Sequence, residues 1–416
     1  WKISSPADWN AVAESINSGA ADAVYLSTAC YELSADIDFE GQSAVPVSFE
    51  TGSLVYFGGV FDGKGHTIRN VKTTASGESF GLFGGNEGTI KDLAVENLAL
   101  STAFKTAGGV VGTNRGVIDG VTFRGEIVGS GKAAVLGGIA GQNQGVIINC
   151  GNRGGKIEAV ELDKGVKGEN LGGIAGQISK GSDGKGNYIV NCYSWIERVA
   201  SNNNNIGGIV GSGSYGAGIE NCGNSGAITS KDSTGGIMGS GSVPITACYN
   251  TGTITAAGDD IGGIAGYTSQ EIKNCYNTGA VTGTGAKNGV GGIVGRLSSA
   301  VSSYSNGKIT GCLNTGAVTA TSGTAAGAIV GQKTTANAAI TRSYFKAGTC
   351  TQAIGGNPAD GDEAALATEA ECGSKRLIGL LGGAFAAGSD GKLTLNWQDP
   401  AATPVVTFVT PEGAAV

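Results

Sequence analysis

Residues 271–296 read EIKNCYNTGAVTGTGAKNGVGGIVGR, and this stretch decides the fold. It holds three short β-prone pieces, Ile-x-Asn-Cys, Gly-x-Val-Thr and Gly-Gly-Ile-x-Gly, joined by Asn-Thr-Gly and a Gly-rich connection. None of the three is long enough to bury a face by itself. The pentapeptide recurs along the chain, with its first glycine at Gly108, Gly137, Gly172, Gly207, Gly235, Gly262 and Gly291. A weaker copy, GAIVG, begins at Gly327 and a variant, GLFGG, at Gly81. Successive starts lie 27, 29, 35, 35, 28, 27, 29 and 36 residues apart, the mark of a fixed unit carrying loops of different length. A cysteine element keeps step with it at Cys150, Cys192, Cys222, Cys248, Cys275 and Cys312. Stacked copies would bury one another's inward residues, which is the physical logic of a solenoid.

No unit contains ten residues of 3.6 periodicity, so helical repeats are excluded, and the units are too short for four-stranded propeller blades. The expectation is an all-β chain forming a right-handed parallel β-helix of about nine coils or more, with three sheet faces. The composition then has a cause. Glycine numbers 76 of 416 residues, against an average near 7 %. Asn152, Asn224, Asn250, Asn277 and Asn314 each stand two residues before a glycine, and these Asn-x-Gly steps are expected to supply positive φ at one corner. The paired glycines of the pentapeptide allow a tight turn or close packing at another.

The repeats resemble the GLUG-motif family of bacterial surface and secreted proteins, which includes the stalk regions of IgA-specific metalloproteases. The passages YELSADIDFEG from Tyr31, FGGVFDGKGHTIRNV from Phe57 and GLFGGNEGTIKDL from Gly81 are similar to that family's usual lead-in. The resemblance covers roughly residues 30–345 and implies architecture and an extracellular or cell-surface location; it implies no activity. The replacement of Gly by Ala328 and the loss of Asn before Cys248 and Cys312 depart from the pattern.

An open solenoid end is a bare strand edge and needs a cap. Residues 1–30 are expected to supply the N-terminal one, an amphipathic helix with Ser5 as N-cap, Pro6 at the first helical position, and Trp9, Val12, Ala13 and Ile16 on one face. The β-helix body is assigned to 31–345 and a C-terminal cap to 346–398. There Thr368 to Glu371 reads as a capping box opening a helix through about Leu381, with Trp397 packing nearby. Residues 399–416 read as an exit strand or linker. The start at Trp1, without a leader, reads as a processed or trimmed fragment.

Net charge is −7 with no long Lys/Arg cluster, which disfavours nucleic acid, and no run of 18 apolar residues spans a membrane. The six repeated cysteines are expected as an inward ladder of buried thiols, because parallel Cβ vectors strain the dihedral a disulfide needs. Collinear ligands do not make a tetrahedron, so no metal and no cofactor is expected. Cys350 and Cys372 lie outside the ladder and are candidates for one bridge. Asn149, Asn191, Asn221 and Asn274 precede cysteine and should form an amide ladder at a bend. Tyr193, Tyr249 and Tyr276 follow cysteine and should face outward, as candidate ligand-binding residues. His66 is the single histidine, so no HExxH is present and no catalytic residue is assigned. Asp36, Asp38 and Asp62 are the nearest candidates for a glycosidase carboxylate pair, whereas Asp259-Asp260 and Glu161/Asp163 read as solvated loop charges. Longer coils at Val160 to Asn170, Ser179 to Asn187, Ser201 to Asn205 and Leu297 to Lys308 mark a possible binding face.

These readings point to a non-catalytic, monomeric module or stalk of a cell-surface or secreted protein, with a surface protein or glycan as partner. The alternative is a carbohydrate-binding or carbohydrate-active β-helix.

Overall fold

The computed structural model describes residues 1–18, 20, 22–48, 56–75, 79–102, 105–130, 134–159, 170–181, 187–200, 205–231, 233–285, 288–299, 307–321, 325–335, 337–359, 361–368, 370–388, 393–398 and 403–404. They fall into two compact units, Trp1–Gly218 with Cys222–Lys231, and Ile219–Asn221 with Asp232–Val416. Each unit is a stack of parallel β coils.

One coil of the second unit follows the decisive stretch: strands Glu271–Lys273, Tyr276–Asn277, Val281–Gly283, Gly289–Gly291 and Val294–Leu297, after which Lys308–Thr310 pairs back onto Glu271–Lys273. Five short strands therefore replace the three pieces read from the sequence. Two of the three motifs turn out to be corners. Ile-x-Asn-Cys bends at its asparagine, and Gly-Gly-Ile-x-Gly bends between its first glycine and the residue after isoleucine. The repeat register is as the spacing predicts. In the first unit Gly108 pairs with Gly137, Gly137 with Gly172 and Gly172 with Gly207; in the second Gly235 pairs with Gly262, Gly262 with Gly291 and Gly291 with Gly327.

Identical inward residues stack coil upon coil. Phe61, Ile90, Ile118, Ile147 and Ile189 form one ladder in the first unit, and Ile219, Ile245, Ile272, Ile309 and Ile340 its counterpart in the second. All are at most 2 % exposed. Burial of each such side chain contributes roughly 2 kcal/mol. The cysteines stand one bend further on. Their thiols are buried, and Cys150, Cys192, Cys248 and Cys275 each donate to the carbonyl two residues back, at 3.2, 3.2, 3.2 and 3.3 Å. Burial pushes the thiols of Cys150, Cys192 and Cys312 up, which keeps them protonated donors. Cys350 and Cys372 are not joined by a disulfide.

Of the two asparagine sets, the one before cysteine takes the role expected of it and the Asn-x-Gly set does not. The left-handed corner belongs to the residue before cysteine: φ is 55° at Asn149, 53° at Asn191, 51° at Asn221 and 54° at Asn274. Asparagine tolerates this region because its short amide bonds locally. Asn149 donates to Asp119 at 2.9 Å and Asn191 to Asn149 at 3.2 Å, the expected ladder at a bend. The Asn-x-Gly asparagines instead point inward and are wholly buried. Asn250 donates to Asn277 at 2.8 Å, Asn277 to Asn314 at 2.9 Å, and each also donates to the carbonyl of the glycine two residues on, at 2.9 Å. At Gly279 that glycine is selected for space, since a Cβ there would lie 2.8 Å from the Gly252 carbonyl carbon, whereas Gly154, after Asn152, takes the expected positive φ, 140°.

The second glycine of the pentapeptide faces the same asparagine. A Cβ on Gly263 would sit 2.5 Å from the Asn277 amide carbon, and one on Gly138 2.5 Å from Asn152 Nδ2. At Ser194 the lane between Asn152 and Asn224 carries a hydroxyl, and its buried oxygen has no hydrogen-bond partner among the described residues.

The N-terminal end is closed as the composition suggests, whereas the C-terminal helix packs on the outward lane of Ala247, Tyr276 and Leu313 and does not close the last coil. The N-terminal helix spans Pro6–Asn17; Ser5 Oγ accepts from Asp8 N at 3.2 Å, and Asp8 in turn accepts from Ser4. Trp9 is fully buried, packs edge-on to Phe61 and Phe83 with centroids 5.6 Å away, and donates to the Val45 carbonyl. The C-terminal helix is shorter than expected, Lys375–Leu381, because Ser374 is its N-cap; Thr368 and Glu371 bond to each other in the preceding turn. Strand Phe385–Ala387 pairs with Leu393–Leu395 and with Thr403–Pro404, and the rest of 399–416 lies outside the described residues. Lys333, 1 % exposed, reaches an inward lane that holds Thr268 and Leu297 in the preceding coils, and its ammonium contacts both oxygens of Asp362 at 2.7 and 2.9 Å.

The lane fixes a pair of outcomes measurable by thermal melts. Ser194→Asn should raise stability by about 1 kcal/mol by supplying the missing amide, and Asn277→Ala should lower it by about 2–4 kcal/mol by opening a gap in the row and taking one hydrogen bond each from Asn250 and Asn314.

Candidate functional site

The outward lane that follows the cysteine corner holds the candidate residues, and the two units use it differently. In the second unit Tyr249, Tyr276, Leu313 and Tyr344 stack in register. The rings of Tyr249 and Tyr276 lie 5.5 Å apart at 12°, as expected for residues one coil apart. This stripe is covered by the chain's own C-terminal segment. Leu377, Ile378, Leu381, Phe385 and Leu395 pack into one buried cluster with Tyr276, Leu313 and Ala247. Trp397 lies 5.8 Å from Tyr249 and donates to the Ala247 carbonyl at 2.9 Å, and the Tyr276 hydroxyl bonds Gln398 at 3.0 Å. Tyr276 is thereby only 7 % exposed. The two coils that lack Asn before cysteine are explained by the same cover: Ala247 belongs to the cluster, and a Cβ on Gly311 would lie 2.7 Å from the Leu381 carbonyl oxygen.

In the first unit the lane runs Thr122, Gly151, Tyr193, Gly223. The Tyr193 ring lies across Gly151, where a Cβ would be 2.6 Å from the hydroxyl. Two residues on, Trp195 is 52 % exposed, with its ring 4.5 Å from that of Tyr193 at 39°. Arg153 Nε donates to the Tyr193 hydroxyl at 3.2 Å. Arg124 Nε and Glu197 Oε1 both border the side-chain space of Gly154, each 3.5 Å from where a Cβ would sit. Trp195 and the two arginines are additions to the sequence-based candidates. The signal for Trp195 is present in YSW, the aromatic that recurs at alternate, same-face positions of a strand.

The acidic candidates are all engaged by their own coils. Asp36 accepts from Thr67 N at 3.0 Å and faces His66 Nδ1 at 3.2 Å. Asp38 accepts from Asn70 and Arg69 at 2.8 and 3.0 Å, and these bonds, with the Glu40 amide, hold its pKa down at about 2. Burial raises the Asp62 carboxyl, yet Lys91 at 2.9 Å and Lys64 at 3.1 Å outweigh it and bring it to about 2. None of the three is poised as a protonated acid. Asp260 is not the solvated charge expected of it. It is 2 % exposed, held by both nitrogens of an Arg296 fork at 2.8 and 2.7 Å, and that guanidinium lies 4.6 Å over the Tyr267 ring. Glu161 and Asp163, with most of the four long loops, lie outside the described residues. Among the described residues no three His, Cys, Asp or Glu cluster as metal ligands, and no helix is long and apolar enough to cross a membrane.

Residues 258–282 match the family model of the GLUG motif. The chain carries the GLUG motif. The matched GLUG segment contains both halves of the interior contact, Gly263 and Asn277, together with the corner Asn274 and the buried Cys275. A 79-residue stretch, 18 % of the chain, is 38 % identical to halomucin of Haloquadratum walsbyi and spans 1 % of that protein. A Bacteroides ovatus structure named as a candidate immunoglobulin A1 protease overlays on 95 % of this chain and 92 % of its own at 18 % identity, with a TM-score of 0.39. At that score the overlay carries no argument.

Two measurements follow from this geometry. Trp397→Ala removes the hydrogen bond to Ala247 and the ring beside Tyr249, so thermal stability should fall by about 2 kcal/mol and the C-terminal segment should become the first site of limited proteolysis. Asp38 and Asp62 have folded pKa values depressed to about 2, so the stability they confer is present above the unfolded carboxylate pKa and is lost as pH falls from about 4 toward 2. A melting temperature that drops through this window in the native chain, and drops less in Asp62→Asn, is the expected result.

Proposed function

We propose that this chain is a non-catalytic binding module or stalk of a bacterial cell-surface or secreted protein. The observation that carries the reading is the contrast on the outer face: the carboxylates able to form an acid–base pair are tied into ion pairs and hydrogen bonds, while the Tyr193–Trp195 pair is left open. Glycoside hydrolysis needs one carboxyl kept protonated opposite a second. A rigid coil that spends its interior on ladders and presents an aromatic pair outward is built to hold, not to react. The GLUG segment and the stretch shared with halomucin support a surface location.

Protease shaving of intact producing cells tests the location: release of peptides from this chain is expected, and full protection within intact cells would overturn the reading. Incubation of the purified chain with plant and host polysaccharides should yield neither new reducing ends nor unsaturated uronates; either product would move the protein to the carbohydrate-active alternative.

A further inference from the structure

We propose that the Tyr193–Trp195 pair, with Arg153 and Arg124, forms a binding site for a pyranose carrying a carboxylate, such as a uronic acid unit of an acidic glycan. This deepens the binding-module reading and rests on it.

Three features of the lane select this ligand. The Tyr193 ring is fixed, since it lies on Gly151 and is held at its hydroxyl by Arg153, and the Trp195 ring packs against it from a backbone whose amide donates to the Asn152 carbonyl at 2.8 Å. A stacking plate held this way loses little freedom on binding. The rim carries two arginines outside any ion pair among the described residues, with one carboxylate, Glu197, beside Arg124. Neighbouring charges pair across coils, Lys156 with Glu126 at 3.3 Å and Arg198 with Glu158 at 3.4 Å, whereas Arg124 and Arg153 contact no carboxylate among the described residues. A guanidinium binds a carboxylate through two parallel donors, which suits a planar acid group beside a stacked ring.

The second unit shows what this lane looks like when its occupant is protein. There the tyrosines continue into Leu313 and Tyr344 and the resulting apolar stripe holds Leu377, Leu381 and Trp397. In the first unit the lane neighbours of Tyr193 are glycines, so an apolar helix would find two rings and a charged border. A sugar matches that arrangement, with a C–H face for the indole and hydroxyls for Glu197, Arg124 and the Tyr193 oxygen.

The test is calorimetric titration of the full chain with an oligogalacturonate and, in parallel, a neutral oligosaccharide of equal length. Binding of the uronate with clear preference over the neutral sugar is expected. Trp195→Ala should weaken it roughly tenfold, Trp195→Phe should recover most of the loss, and Arg153→Gln should abolish the preference for the acid. Trp195 and Arg153 are exposed, so unchanged melting temperatures confirm that the variants fold. No uronate binding, equal binding of the neutral sugar, or binding indifferent to Trp195→Ala would each overturn the proposal. Such a failure is separable from failure of the surface-module reading, which protease shaving decides independently.

Discussion

The structure depends on one contact: the side-chain amide of an interior asparagine resting against a glycine backbone on the opposite wall of the coil. Asn277 and Gly263 are the clearest pair. Any side chain at that glycine would displace the amide, and any apolar residue at that asparagine would strand the amides above and below it, since Asn250, Asn277 and Asn314 bond in a continuous row. The two recurring sequence elements are thus two sides of one interior. Hydrophobic ladders supply the bulk of the driving force, while the amide row fixes register, because a coil slipped by one residue would bury an unpaired polar group.

Much of the fold was legible in the sequence. Periodicity of the pentapeptide located the register of its paired first glycines, and the phase of the cysteines located the thiol ladder. The assignment of bends was harder. Asn-x-Gly has the composition of a turn, but Gly279 is required by close approach of a neighbouring coil, a constraint that exists only once coils stack. The corner lies at Asn274, at the bend its place before cysteine implied, though its left-handed φ is not written in composition. A second amide row, Asn86 to Asn114 to Asn143 at 2.8 and 2.7 Å, was signalled by the same Asn-x-Gly spacing directly after three pentapeptide copies. That row ends where its lane becomes Ile178 in the next coil.

The candidate site was legible by residue type and less so by environment. Tyr193, Tyr249 and Tyr276 share one phase of the repeat, and nothing in that phase distinguishes an open ring from a covered one. The distinction comes from sequence more than a hundred residues away, in Leu377, Leu381 and Trp397, and from the glycines beside Tyr193. Departures from the repeat were the better guide. Ala247 and Gly311 mark where a segment docks, and their smallness is the imprint of that segment.

The ion pair of Lys333 with Asp362 bears on assembly. A parallel coil ends in unpaired donors and acceptors that a second molecule could extend, head to tail, into a fibre. Lys333 places a cation inside the last coil but one of its sheet, under strand Ile354–Gly356, in a lane where the preceding coils carry Thr268 and Leu297, and its counter-ion Asp362 comes from the turn that follows that strand. A newcomer would have to remove that turn and leave a buried ammonium without its partner, so the terminus discourages polymerisation through charge as well as through steric cover.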